Sequence, residues 1–82
     1  MDGNVSLSLL PVGESAKVCA VSASGKLRQR LLDMGVIPGT GIRCLANSPG
    51  GDLRAYLIRG AVIALRRQDC QGIRIGGVEH EI

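Results

Sequence analysis

Apolar residues recur along the 82-residue chain in short runs, and their spacing differs from one run to the next. Several runs alternate between apolar and polar side chains, as a β-strand does when only one of its faces is buried. Clusters of glycine, proline and asparagine separate the runs and predict turns. The strands expected from this pattern are 16–21, 40–46, 53–58, 61–65 and a last short strand around 73–75.

The run that follows the first strand has helical spacing. Leu27, Leu31 and Met34 recur every three or four residues, which places them on one face of a helix, and Ser24 is expected as its N-cap. A single helical turn is also expected at 66–70. The other face of the long helix carries polar and charged residues: Lys26, Arg28, Gln29, Arg30 and Asp33.

A tight corner ends this helix. Gly35 stands where a helix C-terminus favours a residue with positive φ, and Pro38 follows where no helix could continue. Pro38-Gly39 then predicts a turn, because proline presets one central φ and glycine accepts the next. Structural roles in later turns are assigned by the same reasoning to Gly51, Asp52 and Gly60.

The composition favours a small β fold with an aliphatic core. Twelve glycines are many for so short a chain, and Tyr56 is the single aromatic residue. The length allows one domain. We therefore expect one domain at 1–77, built as a strongly bent antiparallel barrel of about five strands with one α-helix inserted after the first strand. A short tail, 78–82, would follow it.

The charge and hydropathy of the chain limit its partners. The net charge of +3 supports weak attraction to acidic partners without requiring nucleic acid. No segment approaches the ~20 apolar residues that span a bilayer, and the first residues lack the basic start of a secretory signal. We expect a cytoplasmic protein with no direct membrane insertion.

The three cysteines have two possible roles. Cys19, Cys44 and Cys70 lie about 25 residues apart, with no CxxC pair and no histidine at ligand spacing. This spacing argues against a disulfide framework and favours small packing residues on strands. A metal site built from them is the alternative.

Several function classes are disfavoured by what the chain lacks. The sole histidine, His80, lies in the predicted tail, so no nucleophile, base and orienting group assemble, and we expect no enzyme. Proline-rich peptides and single-stranded nucleic acids need aromatic surfaces, which Tyr56 alone cannot supply. A protein-interaction module with aliphatic and basic contacts is therefore expected.

The order of the turn signals resembles the FeoA family, the small cytoplasmic proteins of bacterial ferrous-iron uptake. The resemblance covers residues 7–75 and is carried by RLLDMGVIPG at 30–39, PGGD at 49–52, RG at 59–60 and ALR at 64–66. Two positions depart from the family pattern. Leu53 stands where a proline is expected, and Cys70 stands where the family has a small residue.

The resemblance implies an SH3-like barrel, related to the C-terminal domain of iron-dependent repressors, and a role as accessory partner of FeoB, the membrane ferrous-iron transporter. No catalytic residue and no cofactor are implied. The alternative is a metal-responsive regulatory domain that binds a divalent ion such as Fe²⁺ or Zn²⁺. On the first interpretation, the candidate partner contacts are Lys26, Arg28, Arg30, Val36 and Ile37. On the simplest interpretation, the basic residues among them form a solvated helix face.

Overall fold

The computed structural model describes residues 5–79, which form one antiparallel sheet and short helices between its strands. A 3₁₀ turn, Leu7–Leu9, follows the first strand. The strands are β1 Val5–Ser6, β2 Ser15–Val21, β3 Gly41–Asn47, β4 Leu53–Ile58, β5 Ala61–Arg66 and β6 Ile73–Glu79, and the helices are α1 Gly25–Asp33 and α2 Arg67–Cys70.

The six strands lie in the order β1-β6-β2-β3-β4-β5, and every neighbouring pair is antiparallel. The ladder between β2 and β6 is irregular at two places, and that between β3 and β4 at one. Such irregularities bend and twist a sheet, which lets one small sheet wrap around a core. The prediction of a mainly β, strongly bent antiparallel fold with one inserted helix is confirmed. The additional strand is β1, only two residues long.

The core is mostly aliphatic, and it also contains Cys44, Cys70 and the single aromatic ring, Tyr56, which is fully buried. The segment before β2 docks on this core through Leu7 and Leu10 and includes the 3₁₀ turn. Strict alternation along β3 would put Ala46 on the same side as the buried Ile42 and Cys44. The irregularity between Cys44 and Ala46 shifts the register, and Ala46 is exposed.

Helix α1 ends in a Schellman motif. The Val36 N–H donates to the Leu31 carbonyl over 2.9 Å, and the Gly35 N–H donates to the Leu32 carbonyl over 3.0 Å. Gly35 has a φ of +87°, the left-handed conformation that glycine accepts most readily. Ser24 precedes the helix as expected, but its side chain makes no capping hydrogen bond.

The next turn fastens this corner to the sheet. The Thr40 N–H donates to the Ile37 carbonyl over 3.0 Å, and Gly39 has a φ of +94°, so Ile37 to Thr40 form the turn that Pro38-Gly39 predicts. The Gly39 N–H donates to the Val18 carbonyl over 2.8 Å, and the Val18 N–H donates to the Thr40 carbonyl over 2.9 Å. The corner is therefore joined to β2 by main-chain hydrogen bonds in both directions.

The two hairpins form where the turn signals place them. Arg59 and Gly60 join β4 to β5 with φ values of 51° and 84°, the positive values of a type I′ turn. Gly51 has a φ of 78° in the loop between β3 and β4. Asp52 contributes through its backbone, since its carbonyl accepts the Arg67 N–H over 2.8 Å and thereby positions α2.

The end of the chain differs from the prediction. Strand β6 continues through Glu79, so it is longer than the strand expected around 73–75 and includes the first two residues of the segment expected as a tail. The extension is possible because β2 supplies a partner, with Ser15 opposite Glu79. The rest of the predicted tail, 80–82 with His80, lies outside the described residues.

Candidate interaction surface

The exposed side of α1 carries the basic residues singled out in the sequence. Leu31 is buried in the core, while Lys26, Arg28 and Arg30 are exposed. The side chains of Lys26 and Arg30 make no hydrogen bond or ion pair with any other described residue. Arg28 reaches back to the Val21 carbonyl over 3.5 Å.

The helix separates these cations into two groups. Residues four apart share a helix face, so Lys26 and Arg30 lie along one edge of the exposed surface of α1, and Arg28 and Leu32 lie along the other edge. Between these two edges, the Gln29 side chain donates a hydrogen bond to the Asp33 carboxylate over 3.1 Å. The three predicted basic contacts are therefore exposed, but they do not form one continuous patch.

The corner after α1 splits the two apolar candidates. Ile37 is 41% exposed and adds an apolar side chain to the basic helix surface. Val36 is fully buried, because the Schellman motif turns it back against Leu31 in the core. The Val36 side chain is therefore not accessible to a partner in this conformation.

A buried arginine is the main feature that the sequence analysis missed. Arg54 is only 5% exposed, and its guanidinium donates to the backbone carbonyls of three residues, Leu7, Ser8 and Leu10. It also donates to the Asn47 side chain over 2.7 Å and lies 5.6 Å from the centre of the Tyr56 ring. The alternation of β4 could have revealed this, because Arg54 has the same parity as the apolar Tyr56 and Ile58.

Two of the three cysteines belong to this buried cluster. Arg54 Nη2 donates to Cys44 Sγ over 3.2 Å, and the Tyr56 hydroxyl lies 3.3 Å from Cys70 Sγ. Burial raises the pKa of the Cys70 thiol, and burial together with the Cys70 contact raises the pKa of the Tyr56 hydroxyl. Both groups are therefore neutral at physiological pH, which makes Cys70 a poor nucleophile.

Cys19 differs from the other two cysteines, because it is exposed on β2 and does not pack in the core. Within residues 5–79, no three His, Cys, Asp or Glu side chains come together in a group that could hold a metal ion. Across the same residues, no helix has the length and apolar character needed to cross a membrane.

A family model described as the FeoA domain matches residues 5–76. A search of the curated proteins finds no significant match. Among solved structures, a FeoA-like protein from Clostridium acetobutylicum is 28% identical, with a TM-score of 0.85, and the alignment covers 100% of this chain and 96% of that one.

Two further structures place the fold in a wider group. The FeoA of Stenotrophomonas maltophilia, described as a prokaryotic SH3 domain protein complexed with zinc, is 26% identical, with a TM-score of 0.86 over 95% of this chain and 99% of that one. A manganese-dependent transcriptional repressor is 19% identical, with a TM-score of 0.80 over 88% of this chain and 40% of that one, and it shares the fold alone. The expected SH3-like fold is confirmed, and the repressor structure shares it.

Proposed function

Because the chain belongs to the FeoA family, we propose that it is a small cytoplasmic accessory protein of ferrous-iron uptake that binds the FeoB transporter and modulates its activity. The observation that carries the proposal is the match of the FeoA domain over residues 5–76, which includes nearly the whole described fold. Iron transport is the process with which this family is associated. The identity of the partner and the effect on it are the parts we propose.

The surface chemistry supports binding more than catalysis. Lys26 and Arg30 are exposed cations without partners among the described residues, and Ile37 places an apolar side chain at the nearby corner. A protein with such a surface can alter a partner by binding one of its conformations more tightly than another. We propose a non-catalytic role, in which any GTP hydrolysis is carried out by the transporter.

An NMR titration tests this proposal directly. The ¹⁵N-labelled protein is titrated at low salt with the cytoplasmic GTP-binding domain of the cognate transporter, once with GDP and once with a GTP analogue. We expect chemical-shift changes, with different affinities in the two nucleotide states. No change in either state, for the isolated domain and for the intact detergent-solubilised transporter, would contradict the proposal.

A second candidate function is binding of a divalent ion, because the related S. maltophilia protein was crystallised with zinc. The described residues offer no group of three metal-ligating side chains, which is why we rank this candidate second. Its test is thermal unfolding with Zn²⁺ or, anaerobically, Fe²⁺. A resident ion must raise the Tm by mass action, and an unchanged Tm at saturating metal would reject this candidate.

A further inference from the structure

A groove of about 390 Å³ opens on the outer face of the sheet, over strands β2, β3 and β4. Lys17 and Gly41 lie opposite each other across β2 and β3, and Arg43 lies opposite Leu57 across β3 and β4. These residues alternate with the buried Ala16, Ile42 and Ile58, so they face outward. The groove exists because Gly41 has no side chain to fill the space beside Lys17.

The groove is basic. Lys17, Arg43 and Arg59 line it, and no Asp or Glu is among its described lining residues. Lys17 and Arg59 are exposed, and the side chain of neither makes a hydrogen bond or ion pair within residues 5–79. Cations that line a concave surface reinforce one another, because the protein walls focus the field into the groove.

Arg59 is held in place at the rim. It occupies the first central position of the β4–β5 turn with a φ of 51°, a conformation that few residues other than glycine and asparagine adopt readily. Its side chain lies along the open side of Gly35, where a Cβ would come within 2.5 Å of Arg59 Cδ. Because the Arg59 side chain is already restricted, it loses less conformational entropy when it binds a ligand, which favours binding of a carboxylate at the rim of the groove.

Next to the charges, the surface becomes apolar. Leu57 lines the groove and pairs across the strands with Val62, which is 68% exposed on the edge strand β5. A small inorganic anion would leave these side chains in water. A peptide that carries carboxylates next to an apolar side chain would satisfy the cations and cover Leu57 and Val62 together.

We propose that this groove binds an acidic segment of a partner protein, with carboxylates at Lys17 and Arg59 and an apolar side chain against Leu57 and Val62. The inference rests on the proposed function, since it names the chemistry that the transporter partner would present. None of the residues that line the groove belongs to α1, so this site is distinct from the exposed surface of that helix.

The experiment uses two synthetic peptides as probes, one of alternating Glu and Leu and a matched one of alternating Gln and Leu. Each is titrated into the ¹⁵N-labelled full chain at low salt. We expect the acidic peptide to shift the amides of Lys17, Gly41, Leu57 and Arg59, and the neutral peptide to bind at least about tenfold more weakly. Equal binding of both peptides, or shifts elsewhere, would overturn the proposal.

Two kinds of variant separate charge from shape. The double variant Lys17→Glu/Arg59→Glu reverses the charges and should abolish binding. Gly41→Leu fills the groove without changing any charge, and it should fold, because Gly41 has no left-handed φ and a Cβ there has open space within 4 Å. Arg66→Glu/Arg67→Glu, at two exposed positions outside the groove, changes the net charge by the same amount and should bind the acidic peptide normally. Normal binding by Gly41→Leu, in a variant with a native amide spectrum, would reject the groove.

Inorganic phosphate, titrated separately, provides the remaining control. Weak shifts from phosphate, without competition against the peptide, agree with a peptide site. Phosphate that displaces the peptide would show that the groove is a general anion site and would overturn the proposal.

The peptide test is independent of the transporter. If the acidic peptide binds but the transporter domain and the intact transporter cause no shift, the proposed function fails and the groove stands. If the transporter domain shifts only α1, the function stands and the groove fails as its docking site.

Discussion

Inside the core, Arg54 Nη2 donates a hydrogen bond to Cys44 Sγ over 3.2 Å. The same guanidinium satisfies three backbone carbonyls of the N-terminal segment, and no carboxylate among residues 5–79 is paired with it. The arginine therefore serves as a buried multiple donor that connects the segment to β4.

Replacing this arginine should destabilise the fold strongly. Arg54→Lys removes the planar guanidinium, and one ammonium group cannot reach the carbonyls of Leu7, Ser8 and Leu10 in the same geometry. We expect a loss of about 3 kcal/mol in the free energy of unfolding, measured by urea denaturation, because buried acceptors are left unsatisfied. The control is Arg74→Lys at an exposed position on β6, which should change it by less than about 0.5 kcal/mol. Equal effects of the two changes would contradict this role for Arg54.

The contact between Gly35 and Arg59 can be measured as a coupling energy. Gly35→Ala should cost about 2 kcal/mol, partly because the φ of +87° is left-handed and partly because the new Cβ meets Arg59 Cδ. In an Arg59→Ala background only the first part remains, so the cost should fall to about 1 kcal/mol. Chemical denaturation of all four proteins completes the cycle. Additive effects would show that the two residues do not interact.

Stability should fall at alkaline pH. The folded-state pKa values of Cys70 and Tyr56 are raised, so the unfolded chain loses these protons first and gains stability relative to the folded chain as the pH rises. The stabilisation is complete below about pH 8.5, the pKa of a thiol in the unfolded chain, and should decline above it because of Cys70. The decline should become steeper above about pH 10, where the Tyr56 phenol ionises in the unfolded chain. Unfolding free energies measured between neutral and alkaline pH test this. Cys70→Ala should remove the decline that begins near pH 8.5 and leave the steeper decline above about pH 10.

The three thiols should react at very different rates. Cys19 is exposed, whereas Cys44 and Cys70 are buried. A neutral maleimide should label one cysteine per chain rapidly, and mass spectrometry should locate the label on Cys19. The other two should be labelled only as fast as the protein opens, and denaturant should make all three react. Rapid labelling of Cys44 or Cys70 in the native protein would contradict the buried cluster.

Charge reversal at the two ends of α1 should separate stability from binding. The first turn of α1 carries no acidic residue, and Arg30 lies in its last turn. Lys26→Glu should therefore stabilise the fold by about 0.5 kcal/mol and Arg30→Glu should destabilise it by a similar amount, because the helix dipole favours negative charge at the start and positive charge at the end. If the proposed partner uses this helix face, both variants should bind it more weakly. If Lys26→Glu instead binds the partner more tightly and Arg30→Glu more weakly, in parallel with their stabilities, the effect on binding is indirect.

Much of the fold could be predicted because its turns are marked by residues with strong conformational preferences. Gly35, Pro38 and Gly39 define one corner, and Arg59-Gly60 defines a hairpin, so the intervening runs could only be strands or the helix. The element order follows from such local signals. They do not determine where a strand stops, which explains why the end of β6 was placed too early.

The candidate sites were harder to predict, because they depend on contacts between distant parts of the chain. Arg54 is buried by a segment more than forty residues away, as its hydrogen bond to the Leu7 carbonyl shows. Lys17, Arg43 and Arg59 come from two strands and a turn, and only the register of the sheet brings them to one groove. Burial of Val36 depends on which way the chain leaves the helix.

The attachment of the N-terminal segment also determines which sequence changes it can accept. Arg54 binds this segment entirely through main-chain oxygens, so it does not distinguish one side chain from another at Ser8 or Leu9. These two positions can vary without loss of the Arg54 hydrogen bonds, provided that Leu7 and Leu10 continue to fill the core. The opposite holds on β4, where a change at the single position 54 removes all of these bonds together.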